Sequence, residues 1–256
     1  MRHYLLRLRP FVFPALVLGG LEWWTRTVGK QSDALAPPSL SALAWFKSLL
    51  AKGDESLISA TLFTLGTAGL GLVIAMVLGV GLGIVLGLWK KAAQASFLSI
   101  EVLRPVPSVA LIPLSMLVFG FGVRMELCIV VFACFWPLLI LTQAAVQQVE
   151  PRLLEVSNAL GLTFWQRAVK IILPAIVPRL FVALRLGIAI ALVVAVTVEI
   201  AANPHGMGYA MMIAQQSLDP PLALAWLFWI GVVGFAVNAA ALVLQRWVDR
   251  RMGVAP

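Results

Sequence analysis

Charged residues are scarce in this chain of 256 residues: Asp, Glu, Lys and Arg make up 12% of it, whereas 61% is hydrophobic. Soluble domains carry about a quarter charged residues, so a globular domain solvated by water is excluded as the fold class. The few charges are mostly basic and give a formal net charge of +8. They lie between apolar runs and not on one basic face, so they indicate membrane topology and no nucleic-acid partner.

Cysteine and histidine are equally rare, with two of each. Cys128 and Cys134 lie in one apolar run, where we interpret them as packing residues and not as a disulfide framework. His3 and His205 are too few and too far apart in the chain to predict a metal site. The sequence also lacks a Gly-x-x-x-x-Gly-Lys-Ser/Thr phosphate loop and the short motifs of zinc proteases and serine hydrolases. We therefore expect no catalytic residue, metal or cofactor in this chain, and any active transport must draw on a partner or a gradient.

Long apolar runs are what the chain has in abundance. A helix needs about 20 apolar residues to cross the hydrocarbon core of a bilayer, and an open sheet cannot cross it at all. The sequence thus predicts an all-α membrane protein that forms a single transmembrane domain over residues 1–256. About six spans are expected, which cover about 11–28, 60–89, 98–121, 124–148, 175–201 and 222–245. The first run lacks a cleavage-site pattern, so we interpret it as an uncleaved span and not as a signal peptide.

Lys and Arg residues are concentrated in the loops on one side of these spans. If the N-terminus is inside, Arg2, Lys90, Arg152, Arg179 and Arg250 all lie on the cytoplasmic side, together with most other basic residues. The positive-inside rule therefore predicts that both termini are cytoplasmic.

Small residues recur every fourth position along the second span and predict a close helix contact. They are Thr67, Gly71, Ala75, Gly79, Gly83 and Gly87. The third and fourth spans contain Pro105, Pro107, Pro113 and Pro137. Proline bends a membrane helix, and the sequence leaves open whether these bends are static kinks or line a pathway.

The polar segment between the fourth and fifth spans is predicted to fold as two short helices joined by a hinge. Pro151 suits a first helical turn, and Gly161 suits the left-handed residue that ends a helix. Thr163 and Gln166 match a capping box that starts the second helix, which we expect Pro174 to close.

Large apolar side chains lie in this polar segment and suggest a surface that meets a partner. They are Leu153, Leu160, Leu162, Phe164 and Trp165. A helix lying on lipid headgroups is the alternative, and the residues alone do not separate the two.

The same segment resembles the loop signature of permease subunits in binding-protein-dependent ATP-binding-cassette (ABC) importers. Glu155 comes first, three residues separate Ser157 from Gly161, and nine separate Gly161 from Ile171-x-Leu173-Pro174. Where the family usually has two alanines after the glutamate, this chain has Val156 and Ser157. Further short strings fall in the order seen in the nitrate/sulfonate/taurine branch. They are Leu103-Arg104-Pro105-Val106-Pro107, Phe119-Gly120-Phe121-Gly122, Ala183-Leu184-Arg185-Leu186, Glu199 and Gly206-Met207-Gly208-Tyr209.

This resemblance implies the type I importer permease fold and a multi-pass protein of the bacterial inner membrane. It implies a translocation path for a small anionic or organic-acid solute, delivered by a periplasmic substrate-binding protein. It further implies a homodimer embedded in lipid, with separate ABC ATPase subunits that bind ATP and Mg. The segment over 150–174 would be the coupling helix that contacts the ATPase. Its implied coupling residues are Glu155, Val156, Ser157, Gly161, Ile171, Leu173 and Pro174.

Two other classes of function are weighed against the importer. A secondary transporter or channel usually has ionisable groups near the midplane, whereas here Arg104 and Arg185 lie toward the cytoplasm and Glu199 near the outer end of the fifth span. An intramembrane enzyme would need a nucleophile–base or metal pair, which the sequence does not show. Glu199 either pairs with a donor in an outer loop or lines the path. Candidate path residues within the spans are Thr142, Gln143, Thr197 and Asn238.

Overall fold

The computed structural model describes residues 2–28, 35–50 and 56–253, and these residues form helices and connecting turns with no strand. The helices are α1 (Arg2–Thr27), α2 (Pro38–Leu50), α3 (Leu57–Leu88), α4 (Lys90–Leu103), α5 (Ile112–Phe119), α6 (Val123–Gln147), α7 (Pro151–Ala159), α8 (Phe164–Arg167), α9 (Leu173–Ala202), α10 (Gly206–Gln216) and α11 (Pro220–Arg251). This confirms the predicted all-α class.

Four of the helices described are long and apolar enough to cross a membrane. They are α3, α6, the continuous helix Phe164–Ala202 and α11, and the bent pair α4 and α5 makes a fifth if it counts as one span. The predicted first span lies largely within α1, which has 26 residues but is not among these four. The count of six spans therefore stays a prediction.

The third predicted span, 98–121, is broken. Between α4 and α5 the chain passes through a 3₁₀ turn, Ser108–Leu111, and bends by 82°. Pro105 and Pro107 fall between α4 and this turn, where each removes a backbone donor and stops the helix from continuing. The run is apolar enough to pass for one span, and Pro105 and Pro107 are the sequence signal of the break.

The small-residue stripe of α3 packs against α6, as its spacing predicts. A Cβ added to Gly83 would lie 2.7 Å from Cβ of Thr142, and one added to Gly87 would lie 2.6 Å from Cβ of Val146. Ala75, between the glycines of the stripe, is fully buried. The two helices thus approach so closely that a single extra carbon meets the neighbour, and this contact is made within one chain.

The main core lies where α9 crosses the α3–α6 pair. Ala75, Ile129, Val130, Leu138 and Ala195 pack there among other buried side chains. A second apolar cluster, which includes Met207 and Trp226, joins the N-terminal end of α3 and the C-terminal end of α9 to α10 and α11. The bundle therefore holds the short helix α10 against these ends of the spans.

The predicted end of the second loop helix at Pro174 is wrong. From Phe164 the helix passes through a π-helical turn, Ala168–Ile172, and continues as α9 to Ala202. Pro174 follows this π turn by two residues, inside the continuous helix. The π turn shifts the backbone hydrogen bonds by one residue, so the proline is accommodated at a register change and does not end the helix.

Candidate functional site

A left-handed glycine forms the hinge of the segment between α6 and α9. Gly161 has φ +61°, and its N–H donates to the carbonyl of Asn158 at 3.0 Å. The N–H of Leu162 donates to the carbonyl of Ser157 at 3.1 Å. These two bonds are the Schellman pair that ends a helix at a glycine. Pro151 occupies the first turn of α7, so both predicted ends of this helix are confirmed.

A capping box opens α8 directly after the hinge. The hydroxyl of Thr163 accepts from the N–H of Gln166 at 3.4 Å, and the amide oxygen of Gln166 accepts from the N–H of Thr163 at 3.0 Å. The guanidinium of Arg167 donates to the side-chain oxygen of Asn158, which ties α8 back to α7. The angle between the two short helices is therefore held by hydrogen bonds on both sides of Gly161.

Buried contacts attach this segment to the C-terminal ends of α3 and α6 and to the N-terminal end of α9. Leu154 of α7 packs with Val146 of α6, Ile172 of the π turn and Ile176 of α9, and Leu88 at the end of α3 joins the same cluster. Because Ile172 and Ile176 are fully buried, Leu154 connects α7 to the same packed cluster that holds the ends of the spans.

Ser157 is the one fully buried residue of α7. Its hydroxyl donates to the carbonyl of Leu154 at 2.6 Å, so the polar group is satisfied within the helix. This buried position has room only for a small residue. Serine is therefore tolerated where the permease loops of ABC importers usually have alanine. Val156, the other departure, is 51% exposed and packs against nothing that would select its size.

The opposite surface of the segment carries exposed apolar side chains. Leu160 is 68% exposed and Trp165 is 71% exposed, while Phe164 and Trp165 pack edge to face. Glu155 is exposed on the same helix. We call the surface formed by Leu153, Val156, Leu160, Phe164 and Trp165 the apolar patch of the segment. Exposed apolar groups clustered in this way indicate a partner surface.

The signature residues do not all lie in this patch. Glu155 and Gly161 lie on the exposed α7–α8 unit, whereas Ile171 and Leu173 are half-buried on the continuous helix that becomes α9. Pro174 is exposed on the first turn of that helix. The signature thus combines an exposed part with a part that belongs to the span.

Glu199 lies in a buried polar cluster at the end of the bundle opposite the α7–α8 segment. It is fully buried, and its carboxylate accepts from the N–H of Gly208 at 2.9 Å. The neighbouring N–H of Met207 donates to the hydroxyl of Thr64 at 3.0 Å. The first turn of α10 is therefore hydrogen-bonded to α9 through Glu199 and to α3 through Thr64.

The glycines of α10 are required by this contact. Gly206 has φ +92°, and a Cβ there would lie 2.1 Å from Oε1 of Glu199. A Cβ on Gly208 would lie 2.3 Å from the carbonyl oxygen of Val196. The Gly206-Met207-Gly208 string thus lets the backbone approach a buried carboxylate.

Glu126 belongs to the same region and was missed by the sequence reasoning, which counted almost no ionisable group inside the spans. It lies in the first turn of α6 and is fully buried. It accepts from the hydroxyl of Thr67 and from the side-chain amide of Asn203. A lone acid at the start of an apolar run was the available signal, because a buried carboxylate must find donors on neighbouring helices.

The four polar candidates for the path lie apart from one another. Thr142 is fully buried against α3, Gln143 is half-buried, and Asn238 accepts from the guanidinium of Arg185 at 3.2 Å. The hydroxyl of Thr197 donates to the carbonyl of Val193 at 2.7 Å, within its own helix. No three His, Cys, Asp or Glu residues come together as metal ligands in the part of the chain that the structure describes.

Solved structures share this fold. A bacterial ABC transporter for import of the acidic polysaccharide alginate aligns over 97% of this chain and 99% of its own, with a TM-score of 0.69 and 18% identity. The MetNI methionine ABC transporter aligns over 75% of this chain and 95% of its own, with a TM-score of 0.67 and 17% identity. The fold is therefore that of type I ABC importer permeases.

Sequence comparison gives the family. Residues 75–254 match the family described as "Binding-protein-dependent transport system inner membrane component". SsuC of Bacillus subtilis, whose name assigns it to aliphatic sulfonate transport, is 30% identical over 90% of this chain and 80% of its own length. The taurine transport system permease TauC of Escherichia coli is 28% identical over 88% and 83%. The chain belongs to this family: it is a multi-pass membrane protein and the permease subunit of an ABC importer. This membership speaks against the secondary-transporter and channel alternatives.

Proposed function

We propose that this chain forms half of the translocation path of a homodimeric importer in the bacterial inner membrane, with both termini in the cytoplasm. Two separate ATPase subunits bind ATP and Mg and hydrolyse the nucleotide, and this chain contributes no catalytic residue. The excess of basic residues in the loops on one side of the spans supports this orientation. Lipid surrounds the remaining apolar faces.

The observation that carries the proposal is the geometry of the segment over 150–174. Its apolar patch is exposed, whereas Leu154 and Ile172 on the other side pack against the ends of α3, α6 and α9. An ATPase subunit that binds this patch would move the ends of the spans with it. Such a partner shifts the balance between inward- and outward-open states only if it binds the two states with different affinity.

The transported solute is proposed to be a small anion or organic acid delivered by a periplasmic binding protein. The names of the relatives support this class, since they refer to aliphatic sulfonates, taurine and nitrate.

The coupling role is tested by Gly161→Val in the complex of permease, ATPase and binding protein. A β-branched residue at φ +61° costs about 1–3 kcal/mol of local strain and shifts the hinge, while nothing lies within 4 Å to clash with it. We expect normal membrane levels, but ATP hydrolysis that loaded binding protein no longer stimulates, and uptake that falls with it. Glu155→Ala should act in the same direction, because it alters the exposed surface and no buried contact.

Gly253→Val is the matched control. Gly253 also has a positive φ, +68°, and open surroundings, but it follows α11 outside the segment. It should keep stimulation and uptake close to wild type. Wild-type stimulation and transport in Gly161→Val would show that the segment is an ordinary connector, and the coupling proposal would be withdrawn.

A further inference from the structure

A cavity of about 450 Å³ lies between the broken α4–α5 span, α6 and α9. Its lining on α6 runs from Phe132 to Leu141, in the middle of a helix that begins at Val123 and ends at Gln147. On α9 it runs from Leu186 to Val194, also near the middle of the helix. The cavity is therefore at mid-depth in the spans. Because Arg104 lines it, the expectation that Arg104 lies toward the cytoplasm is wrong.

The proline break brings a cation and a hydroxyl to this cavity. Arg104 and Ser108 lie on either side of Pro105 and Pro107, and both line the wall. Among the described residues, the guanidinium of Arg104 has one ionic partner, Glu101, with an N–O distance of 3.6 Å. That distance is longer than a hydrogen bond, so the donors of Arg104 remain available to an anion.

Two residues of α6 in the cavity wall carry unpaired polar groups. The indole Nε1–H of Trp136 has no hydrogen-bond partner among the described residues, but it is itself buried and does not open onto the cavity. Pro137 has no N–H, so the carbonyl of Ala133, one turn earlier, lacks its usual donor. The groups that suit an anionic head are therefore the guanidinium of Arg104 and the hydroxyl of Ser108.

The rest of the wall is apolar. It is formed by Val106, Phe132, Ile140, Leu141, Leu186 and Ile190, with Val194 at one end. A nitrate-sized ion could bind Arg104, but it would leave most of this apolar wall uncovered and gain nothing from it. A hydrocarbon chain or ring on the ligand would gain from the same contacts, because its own apolar surface leaves water.

We propose that this cavity binds the transported solute, and that the solute is an organic anion with an apolar body of several carbons. Arg104 holds the anionic head, and Phe132 and Trp136 contact the body. The proposal rests on the proposed importer function, and it separates organic acids from small inorganic anions, which the family membership alone does not.

The test uses the permease–ATPase complex in lipid nanodiscs, with Ser108→Cys as a reporter in a Cys128→Ser, Cys134→Ala background. The reporter is modified with an anionic reagent, sulfonatoethyl methanethiosulfonate, and with its cationic trimethylammonioethyl counterpart. We expect the anionic reagent to react faster. Arg104→Gln should lower the ratio of the two rates about fivefold or more, because it removes the nearest cation. Arg246→Gln, an equal change on the exposed face of α11, should leave the ratio unchanged.

Protection then identifies the ligand class. Millimolar butanesulfonate should slow modification of the reporter in the parent complex, whereas methanesulfonate and nitrate at the same concentration should protect several-fold less. Trp136→Ala removes an aromatic ring that lines the cavity, and should raise the butanesulfonate concentration needed for half-protection several-fold.

Three results would overturn the proposal. One is a rate ratio that does not respond to Arg104→Gln, and another is equal protection by butanesulfonate and nitrate. The third is a reporter that neither reagent reaches, since lipid or the second copy of the chain would then fill the cavity. Each can occur while loaded binding protein still stimulates ATP hydrolysis, so failure of this site is distinguishable from failure of the importer function.

Discussion

The contact between α3 and α6 predicts opposite effects for the same substitution at two neighbouring glycines. A Cβ at Gly83 would lie 2.7 Å from Cβ of Thr142 and 2.8 Å from the carbonyl oxygen of Leu139. A Cβ at Gly81 would meet nothing within 4 Å. Both glycines are interior to α3, so their helix propensities are equal and only the surroundings differ.

The magnitudes follow from these two environments. Alanine in place of an interior glycine stabilises a helix by about 0.5–1 kcal/mol, and this is the whole effect expected for Gly81→Ala. Overpacking costs about 1–3 kcal/mol. For Gly83→Ala the upper part of this range applies, because the carbonyl oxygen of Leu139 is backbone and cannot rotate away. The net loss for Gly83→Ala is then about 1–2 kcal/mol, and the two variants should differ by about 2–3 kcal/mol.

Reversible unfolding of the purified chain in mild detergent measures this difference as the free energy of unfolding. The thermal midpoint gives a second readout, with a shift of about 2–4 °C for each kcal/mol in a chain of this size. Gly83→Leu, with three more carbons at the same place, should also lower the yield of assembled complex. Equal stability of the Gly81→Ala and Gly83→Ala variants would show that α3 and α6 are not packed this closely, and would refute the reasoning.

Two other predictions concern topology and the outer polar cluster. Thr163→Cys should resist a membrane-impermeant thiol reagent in intact cells. Ser217→Cys, between α10 and α11 on the opposite side, should react with it. Rapid labelling of Thr163→Cys would show that the predicted orientation is wrong. Gly206→Ala should destabilise the attachment of α10 by about 1–3 kcal/mol, because it adds left-handed strain to a clash with Glu199. Faster amide exchange in α10 of the Gly206→Ala variant would report this loss. The control is Gly231→Ala, a site with nothing within 4 Å, and equally slow exchange of α10 in both variants would contradict the prediction.

Features set by local backbone chemistry were predictable from the sequence. The left-handed residue at Gly161 and the capping box at Thr163 each depend on a few adjacent residues, and both are present. The every-fourth-residue stripe of α3 is similar, because helix geometry places each residue of the stripe next to the one four positions on, such as Gly79 and Gly83. These predictions needed no knowledge of the neighbouring helices, although the partner, α6, could not be named from spacing.

Features set by distant partners were not predictable. Pro174 looks like a stop because the sequence does not show that a π turn accommodates it. Glu126 looks like an interfacial acid, and only the folded bundle brings Thr67 and Asn203 to its carboxylate. Thr142 was a candidate for the path because it is polar, yet its burial against α3 depends on the α3–α6 contact. In each case the deciding group lies on another turn or another helix.

The unbroken helix from Phe164 to Ala202 has a mechanical consequence. With 39 residues at 1.5 Å each it is a rod of about 58 Å, longer than the bilayer is thick. A tilt of about 10° around its middle displaces each end by about 5 Å, in opposite directions. The lever has the apolar patch near one end, and Glu199, which accepts from α10, near the other. A push on the apolar patch would thereby become a pull on α10 at the far end of the rod, without any intermediate element to carry it.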